Sequence, residues 1–504
     1  MSSKRNLVIY ALGVVYVIML VSFAKEEIFY SEDGGVKFMM IKEYVTGDWD
    51  SKLELEPPAW AAKLWRDGLY PFRKPFVYDT PEGRISGFPP FFSMITAPFY
   101  KMFGFHGLYI LPALSVFILW GLFIRLGRNL QVSSQAITLG LIALIFGSSL
   151  TVYSGIFWEH TLATLCCFAG LYYLLSTYSQ QSGTNVSALL WGVATGFALW
   201  LRPESAFILM FFIAWSLHDI FRLKNKQRYF FLTGATVSIL GFMVFNYLIY
   251  KNPMGLHSQQ MTEGLGLVQR VMKGGYILVV LCAKAILYDP ISLFVLLIAA
   301  LNFKSVWAGL KGKPEVTSIL LLGILFFYGS SAWIFPNTGG LNWGIRYALV
   351  CVPFFYVLGI LFLDQFKTIS PFARYSALVL SVLIVYGIFQ NTYRGAKSLH
   401  ENYNSPKVGV SDYFMKNTNQ VILITKTNHA AEFQGLLKSS TFLLAESREQ
   451  VDTFLKHPAS REYDFSLIFE TNDPYGKISL KESDLTDFYA AETIGNFVIY
   501  KYKK

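Results

Sequence analysis

The chain has 504 residues, of which 53% are hydrophobic, 17% aromatic and only 15% charged, a mixture that excludes an ordinary water-soluble globular domain. The formal net charge is +10, but much of the basic excess falls in short loops between apolar runs, so topology accounts for it and no nucleic-acid partner is implied. The four cysteines, Cys166, Cys167, Cys282 and Cys351, stand in apolar stretches without metal-ligand spacing and read as small core residues.

Crossing a bilayer as a helix takes about 20 apolar residues, and runs of that kind recur between residues 7 and 391, so about eleven spans are expected. The first is 7–24, preceded by Lys4 and Arg5. The "SFAKEE" that follows has small residues where a signal peptidase cuts, so a cleaved signal is the competing reading of residues 1–24.

Residues 25–105 then form a first outer loop too long for a mere connector. It opens with "FYSEDGGVKFMM" at 29–40, where Glu32 and Asp33 stand beside Gly34 and Gly35. Two readings are open. The acids cap the start of a helix over "VKFMMIKEYV", or, beside glycines that let a backbone or ligand come close, one of them abstracts a proton. Farther on, "AWAAKLW" at 59–65 and "FFSMITAPFYKMF" at 91–103 are expected as helices in the membrane interface, where Trp and Tyr rings bridge lipid and water.

The remaining spans are expected at 106–124, 134–152, 157–176, 186–201, 204–220, 229–250, 287–303, 315–335, 347–363 and 375–391. Lys and Arg collect in alternate loops: Arg125 and Arg128, "RLKNKQR" at 222–228, "KSVWAGLKGK" at 304–313, then Lys367 and Arg374. This pattern puts the N-terminus in the cytoplasm and, with an odd number of spans, the C-terminus outside a cell inner (cytoplasmic) membrane. The opposite loops gather the polar residues: "GIFWEH" at 155–160, "LRPES" at 201–205, "NPMGLHSQQ" at 252–260, "LYDP" at 287–290 and "FPNTGGLNWGIRY" at 335–347. Glu159 and His160 open a helix, where the dipole also favours an acid. Arg202, followed by Pro203 and Glu204, forms a cap with a local ion pair, or, as a guanidinium at a bundle rim, a bidentate phosphate ligand. Arg346 stands among glycines with Asn342 and Trp343; interfacial anchoring explains the Trp and Arg but not so much glycine, which favours a ligand role. His257 is a surface histidine or a ligand. Lys284 lies in "VVLCAKAILY", where a charge snorkels to the interface or binds an anion.

Hydrophobicity falls in residues 392–504, which are expected to form a small extracytoplasmic α/β domain, leaving 1–391 as the membrane domain. Strand-type runs are "VILITKT" at 421–427, "TFLLA" at 441–445, "FSLIFE" at 465–470 and "FVIYKY" at 497–502, separated by the helix-like "AAEFQGLLKSS" and the turn "TNDPYG".

In order and placement these features resemble the GT-C superfamily of polytopic glycosyltransferases, the class of protein O-mannosyltransferases and aminoarabinose transferases of lipid A. "SEDGGVK" supplies an acid just after the first span, "FWEH" a second acid in the next outer loop, and residues 392–504 the soluble domain; "LRPES" and "GGLNWGIRY" are similar to short motifs of bacterial members. The resemblance implies a mainly α fold, a transmembrane helix bundle with interface helices in the first outer loop and a small C-terminal α/β domain. It also implies transfer of a hexosyl or pentosyl group, with inversion, from a polyprenyl-phosphate-linked donor to a hydroxyl of a glycan, lipid or protein acceptor among membrane lipids. Asp33, next to the glycines, would be the general base, with Glu32 the other candidate. Arg346 and Arg202 would stabilise the departing phosphate, helped by Lys284 or Lys37. Glu159 and His160 would orient hydroxyls, and Glu204, His257 and Asn342 complete the substrate-binding set. No cofactor is assigned, and a divalent metal ion is left open. The rival reading is a transporter or flippase of a lipid-linked or anionic substrate, which would place polar groups near the bilayer midplane and often show repeat symmetry. A non-catalytic scaffold would leave the outer acids and arginines without a purpose.

Overall fold

Leu-, Ile- and Phe-rich stretches without turn residues can satisfy their backbone groups in hydrocarbon only by winding into helices. The computed structural model describes residues 2–47, 49, 52–53, 55–80, 83–179, 183–256, 266–301, 314–335, 343–365, 372–417, 420–471 and 480–503. In chain order α1 is Ser2–Ser22, α2 Glu32–Thr46, α3 Ala61–Leu64, α4 Phe91–Phe103, α5 Ile110–Asn129, α6 Ser134–Phe146, α7 Ser149–Val152 and α8 His160–Tyr178. Then follow α9 Asn185–Leu201, α10 Ser205–Leu223, α11 Gln227–Tyr250, α12 Leu267–Tyr288, α13 Ile291–Leu301, α14 Pro314–Ser331, α15 Val352–Gln365 and α16 Phe372–Ile388. A hairpin of β1 Val77–Thr80 and β2 Gly83–Ser86 precedes α4. The C-terminal part runs α17 Ala396–Tyr403, α18 Pro406–Lys416, β3 Val421–Ile424, α19 Thr427–Glu432, β4 Thr441–Leu444, α20 Arg448–Lys456, α21 Ala459–Glu462, β5 Phe465–Glu470, β6 Phe488–Ile494 and β7 Phe497–Tyr502.

Among the described residues, seven helices are long and apolar enough to cross a membrane, or eight when α6 and the following Ser149–Gly155, bent by 46°, count as one span. With the shorter apolar helices this is compatible with the expected number, and the chain is a polytopic membrane protein. One stretch differs from expectation. A span is expected over 287–303 and nothing over 267–288, whereas α12 and α13 are separate helices broken at Asp289 and Pro290. Proline cannot continue a helix, and Arg270, Lys273 and Lys284 dilute the apolar signal of α12. The basic loop 304–313 and most of the turn "TNDPYG" lie outside the described residues.

Contacts divide the chain into two units, Met1–Phe23 with Leu108–Leu399, and Ala24–Gly107 with His400–Lys504. Sequence alone puts the boundary at 391 and keeps 25–105 with the spans; the contacts group that loop with the C-terminal residues.

In the membrane unit, α9 and α11 cross closely because small residues face each other: a Cβ on Gly192 would lie 2.0 Å from the Phe231 carbonyl oxygen, and one on Gly234 2.1 Å from that of Leu189. Asp219 and Arg228, both without exposure, pair where α10 turns into α11: Arg228 Nε and Nη2 donate to Asp219 Oδ2 at 3.0 and 2.8 Å, and the Tyr178 hydroxyl donates to Oδ1 at 2.5 Å. The bend after α6 leaves a carbonyl at Gly147, and Asn391 Nδ2 fills it at 2.9 Å. Asp289 caps the helix beyond the bend, accepting from Ser149 N at 2.9 Å and Ser149 Oγ at 2.6 Å.

In the second unit, the five-stranded sheet has the order β4-β3-β5-β7-β6, with β3 parallel to β4 and β5, and β7 antiparallel to both β5 and β6. The four expected strands are β3, β4, β5 and β7; the edge strand β6 carries no sequence signal because most of its side chains are exposed or half-exposed and give no apolar run. The loop aromatics of "AWAAKLW" are used by this sheet and its helices: Trp65 Nε1 donates to the Phe442 carbonyl at 3.0 Å, and Trp60 stacks on Tyr463 with centroids 5.0 Å apart.

Candidate active site

The bend between α6 and α7 turns the chain so that "GIFWEH" ends at the first residues of α8, with Glu159 as the N-cap and His160 as the first helical residue. Pro203 forces the residue before it out of the helical region, and Arg202 is accordingly extended at φ −143°, ending α9, while Glu204 caps α10. These turns converge. Arg202 Nε donates to Glu204 Oε1 at 2.7 Å, and its Nη1 donates to Glu159 Oε1 at 3.0 Å. All three side chains are buried, so the guanidinium is held by two desolvated carboxylates, a fork geometry that lysine could not reproduce.

Arg346 begins the short helix Arg346–Cys351 just after Gly344, whose φ of +71° turns the chain there. Its Nε donates to His160 Nε2 at 3.3 Å, and its guanidinium carbon lies 4.3 Å from the centre of the Trp158 ring. The Tyr347 ring is shared, 5.7 Å from the Arg202 guanidinium and 5.9 Å from that of Arg346. The two arginines are therefore unlike: Arg202 is buried against carboxylates, whereas Arg346 keeps partial solvent access. Five of the residues singled out from sequence, Glu159, His160, Arg202, Glu204 and Arg346, form one cluster. Trp158 and Tyr347 also belong to it. Lys284 stands one turn before the end of α12, half-exposed. His257 and Asn342 lie outside the described residues.

Glu32, Asp33 and Lys37 belong to the second unit, on the first turns of α2. Glu32 Oε1 accepts from Asn428 Nδ2 at 3.3 Å. Beyond it, Lys407 pairs with Glu432 at 2.7 Å. Loss of solvation pushes the Glu32 carboxyl up to about 7, although part of the side chain still meets solvent; the neighbouring Glu432 charge adds to the rise and Lys407 opposes it. Burial alone would lower Lys407, but Glu432 and Glu32 outweigh it and hold the ammonium above its ordinary value. Asp33 lies on the adjoining stripe of the helix with Lys37 one turn on, and Lys37 is buried, its ammonium 5.2 Å from the Phe88 ring centre. Among the described residues no three His, Cys, Asp or Glu side chains gather as a metal site.

No protein-family model matches the sequence, and no curated protein matches it. Solved structures do. The crystal structure of ArnT from Cupriavidus metallidurans bound to undecaprenyl phosphate superposes with a TM-score of 0.60 at 12% identity, covering 99% of this chain and 98% of that one. The same enzyme in the apo state gives a TM-score of 0.59 at 13% identity, with the same coverage. The chain has the GT-C fold. The likeness to ArnT runs through both the apolar helices and the C-terminal sheet, because almost no residue of either chain is left out. At such low identity the likeness is one of fold, and the chemistry rests on the side chains described above.

Proposed function

We propose that this GT-C chain is a membrane glycosyltransferase that moves a hexosyl or pentosyl group from a polyprenyl-phosphate-linked donor to an acceptor hydroxyl on the extracytoplasmic face. The observation that carries this reading is the whole-length likeness to a structure of ArnT bound to undecaprenyl phosphate. The side chains are of the right kinds for the task. Asp33 takes the proton of the acceptor hydroxyl as its oxygen attacks the anomeric carbon. The bond from that carbon to the phosphate oxygen breaks, with inversion, and the polyprenyl phosphate leaves carrying the electron pair. Arg346, cationic and partly accessible, neutralises that phosphate. Arg202 holds Glu159 and Glu204 in place, and Glu159 and His160 orient hydroxyl groups. Lys37, one turn from Asp33 on the same stripe of α2, is assigned as a helper at the departing phosphate. Lys284, His257 and Asn342 remain assigned to substrate binding, the acceptor being a glycan, lipid or protein. The N-terminus is assigned to the cytoplasm and the C-terminal residues to the outer face of a cytoplasmic membrane.

The test uses the full chain in proteoliposomes with a panel of undecaprenyl-phosphate-linked hexoses and pentoses and candidate acceptors. Transfer by the wild type is expected, falling about 10²- to 10⁴-fold in Asp33→Asn, the span typical of a lost general base. Arg346→Ala is expected to weaken binding of undecaprenyl phosphate about tenfold to a hundredfold. Undiminished transfer by Asp33→Asn, Glu32→Gln and their combination would remove the base assignment, and donor flux without transfer would establish the transporter reading instead.

A further inference from the structure

The sheet of the second unit has three parallel strands in the order β4-β3-β5. The chain leaves β3 toward β4 on one side and leaves β5 toward β7 and β6 on the other, so the carboxyl ends of β3 and β5 form a topological switch point, the place where open α/β folds usually take a ligand. Here that place carries Thr425, Lys426 and Asn428 after β3 and Glu470 at the end of β5. Lys426 pairs with Glu470 at 2.6 Å, and the buried His429 has its Nε2 3.5 Å from the same carboxylate.

The first turn of α2 meets this region. Asn428 donates to Glu32 at 3.3 Å, and the Ala431 carbonyl, one turn along α19, presses on the backbone of Gly35 so closely that a Cβ there would be 2.0 Å from the oxygen. Positions 32, 35, 36 and 39 make one stripe of a helix, and 33, 37 and 40 the next. The grip is thus on the Glu32 stripe, while Asp33 leads the neighbouring one. α19 is itself fixed from the loop side, because Thr427 Oγ1 accepts from Arg73 N at 3.0 Å and donates to the Pro71 carbonyl at 3.1 Å.

The geometry points to Glu32 as a positioning residue and not a proton acceptor: Asn428 and the Ala431 carbonyl hold the first turn of α2 through Glu32 and Gly35, and so set the direction of the Asp33 carboxylate. This rests on the reading of Asp33 as the base. The C-terminal sheet has turned its ligand end into a clamp for a catalytic helix. The charges facing Glu32 are consistent with that role. They are Asp33 on its own helix, Glu432 on α19 and Lys407 on α18, with Glu470, Lys426 and His429 behind; α4 carries only the exposed Lys101, and Lys438 faces Glu27 at 3.7 Å. A carboxyl that protonates near neutrality is well replaced by an amide, and a clamp needs its shape and hydrogen bond more than its charge.

The test measures transfer kinetics in proteoliposomes with whichever donor of the panel supports transfer, and hydrogen exchange of residues 28–40 without any ligand. Glu32→Ala and Asn428→Ala are expected to lower kcat at least about tenfold, as a displaced catalytic group does, with donor KM within about twofold. Both should speed exchange over 32–38. Glu32→Gln, which keeps the hydrogen bond, should retain most of the rate and the slow exchange. Asn428→Asp should be worse than Asn428→Ala, and Glu32→Gln in the same chain should restore it, since an amide and a carboxylate then face each other again. Loss of transfer in Glu32→Gln equal to that in Asp33→Asn would overturn the inference and make Glu32 the base. Unchanged kcat and exchange in Glu32→Ala and Asn428→Ala would overturn it too. Full transfer by Asp33→Asn would instead defeat the base assignment beneath it.

Discussion

The carbonyl oxygen of Ala431 stands where any side chain on Gly35 would have to go, 2.0 Å from an ideal Cβ. Backbone on both sides leaves no flexible atom to move aside. Gly35→Ala is therefore expected to cost about 3 kcal/mol, the upper part of the range for overpacking. Thermal unfolding of the purified protein checks the size of the loss, and limited proteolysis locates it. A shift in Tm of less than a degree would mean that the two segments are not held together at this point.

Glu32 gives a pH dependence with a definite sign. Its carboxyl rises from 4.5 to about 7 on folding, so the folded chain binds that proton more tightly than the unfolded chain. The associated stability is fully present below about pH 4.5 and is lost as pH rises through 7. Glu32→Gln abolishes this dependence. Its stability relative to wild type should climb between pH 5 and pH 8, by up to about 3 kcal/mol, read as the difference in Tm across that range. A constant difference would show that the carboxyl titrates normally in the fold.

Arg202 and Arg346 should fail in different ways when replaced. Arg202→Met strands two buried carboxylates, Glu159 and Glu204, and a broken buried pair costs about 3–5 kcal/mol. Arg202→Met should thus be recovered in low yield and melt early, whereas Arg346→Ala should melt within a few degrees of wild type. Equal melting of the two variants would contradict the contrast in burial.

The Asp219–Arg228 pair offers a test in the membrane unit. Removing one partner, as in Asp219→Leu, leaves Arg228 uncompensated and is expected to destabilise by about 3–5 kcal/mol, while Asp219→Leu combined with Arg228→Met should cost much less. A double-mutant cycle on unfolding reads the coupling directly.

The helices of this chain were legible because lipid leaves a long apolar run only one backbone conformation. Glu204 and Arg202 were legible as a pair because they stand two residues apart. The contacts that assemble the cluster were not: Arg202 meets Glu159 across 43 residues and Arg346 meets His160 across 186. Trp158 and Tyr347 had no signal beyond being aromatic near a membrane. The glycines beside Asp33 allow a backbone or a ligand to approach, and local sequence cannot choose between those. At Gly35 the choice is a backbone, from a helix 396 residues beyond it, by the separation of Glu32 and Asn428. Lys407 and Glu432 were hidden for the same reason, since nothing near either one names its partner.

The second unit is assembled from two segments, Ala24–Gly107 and His400–Lys504. A ribosome that has finished the first segment must add about 290 more residues before the second begins, an interval of roughly 15–60 s at ordinary elongation rates. Throughout that interval Trp65 and Gly35 have no Phe442 or Ala431 to meet. Birth order thus leaves the early loop without its packing partners until the last residues of the chain are translated.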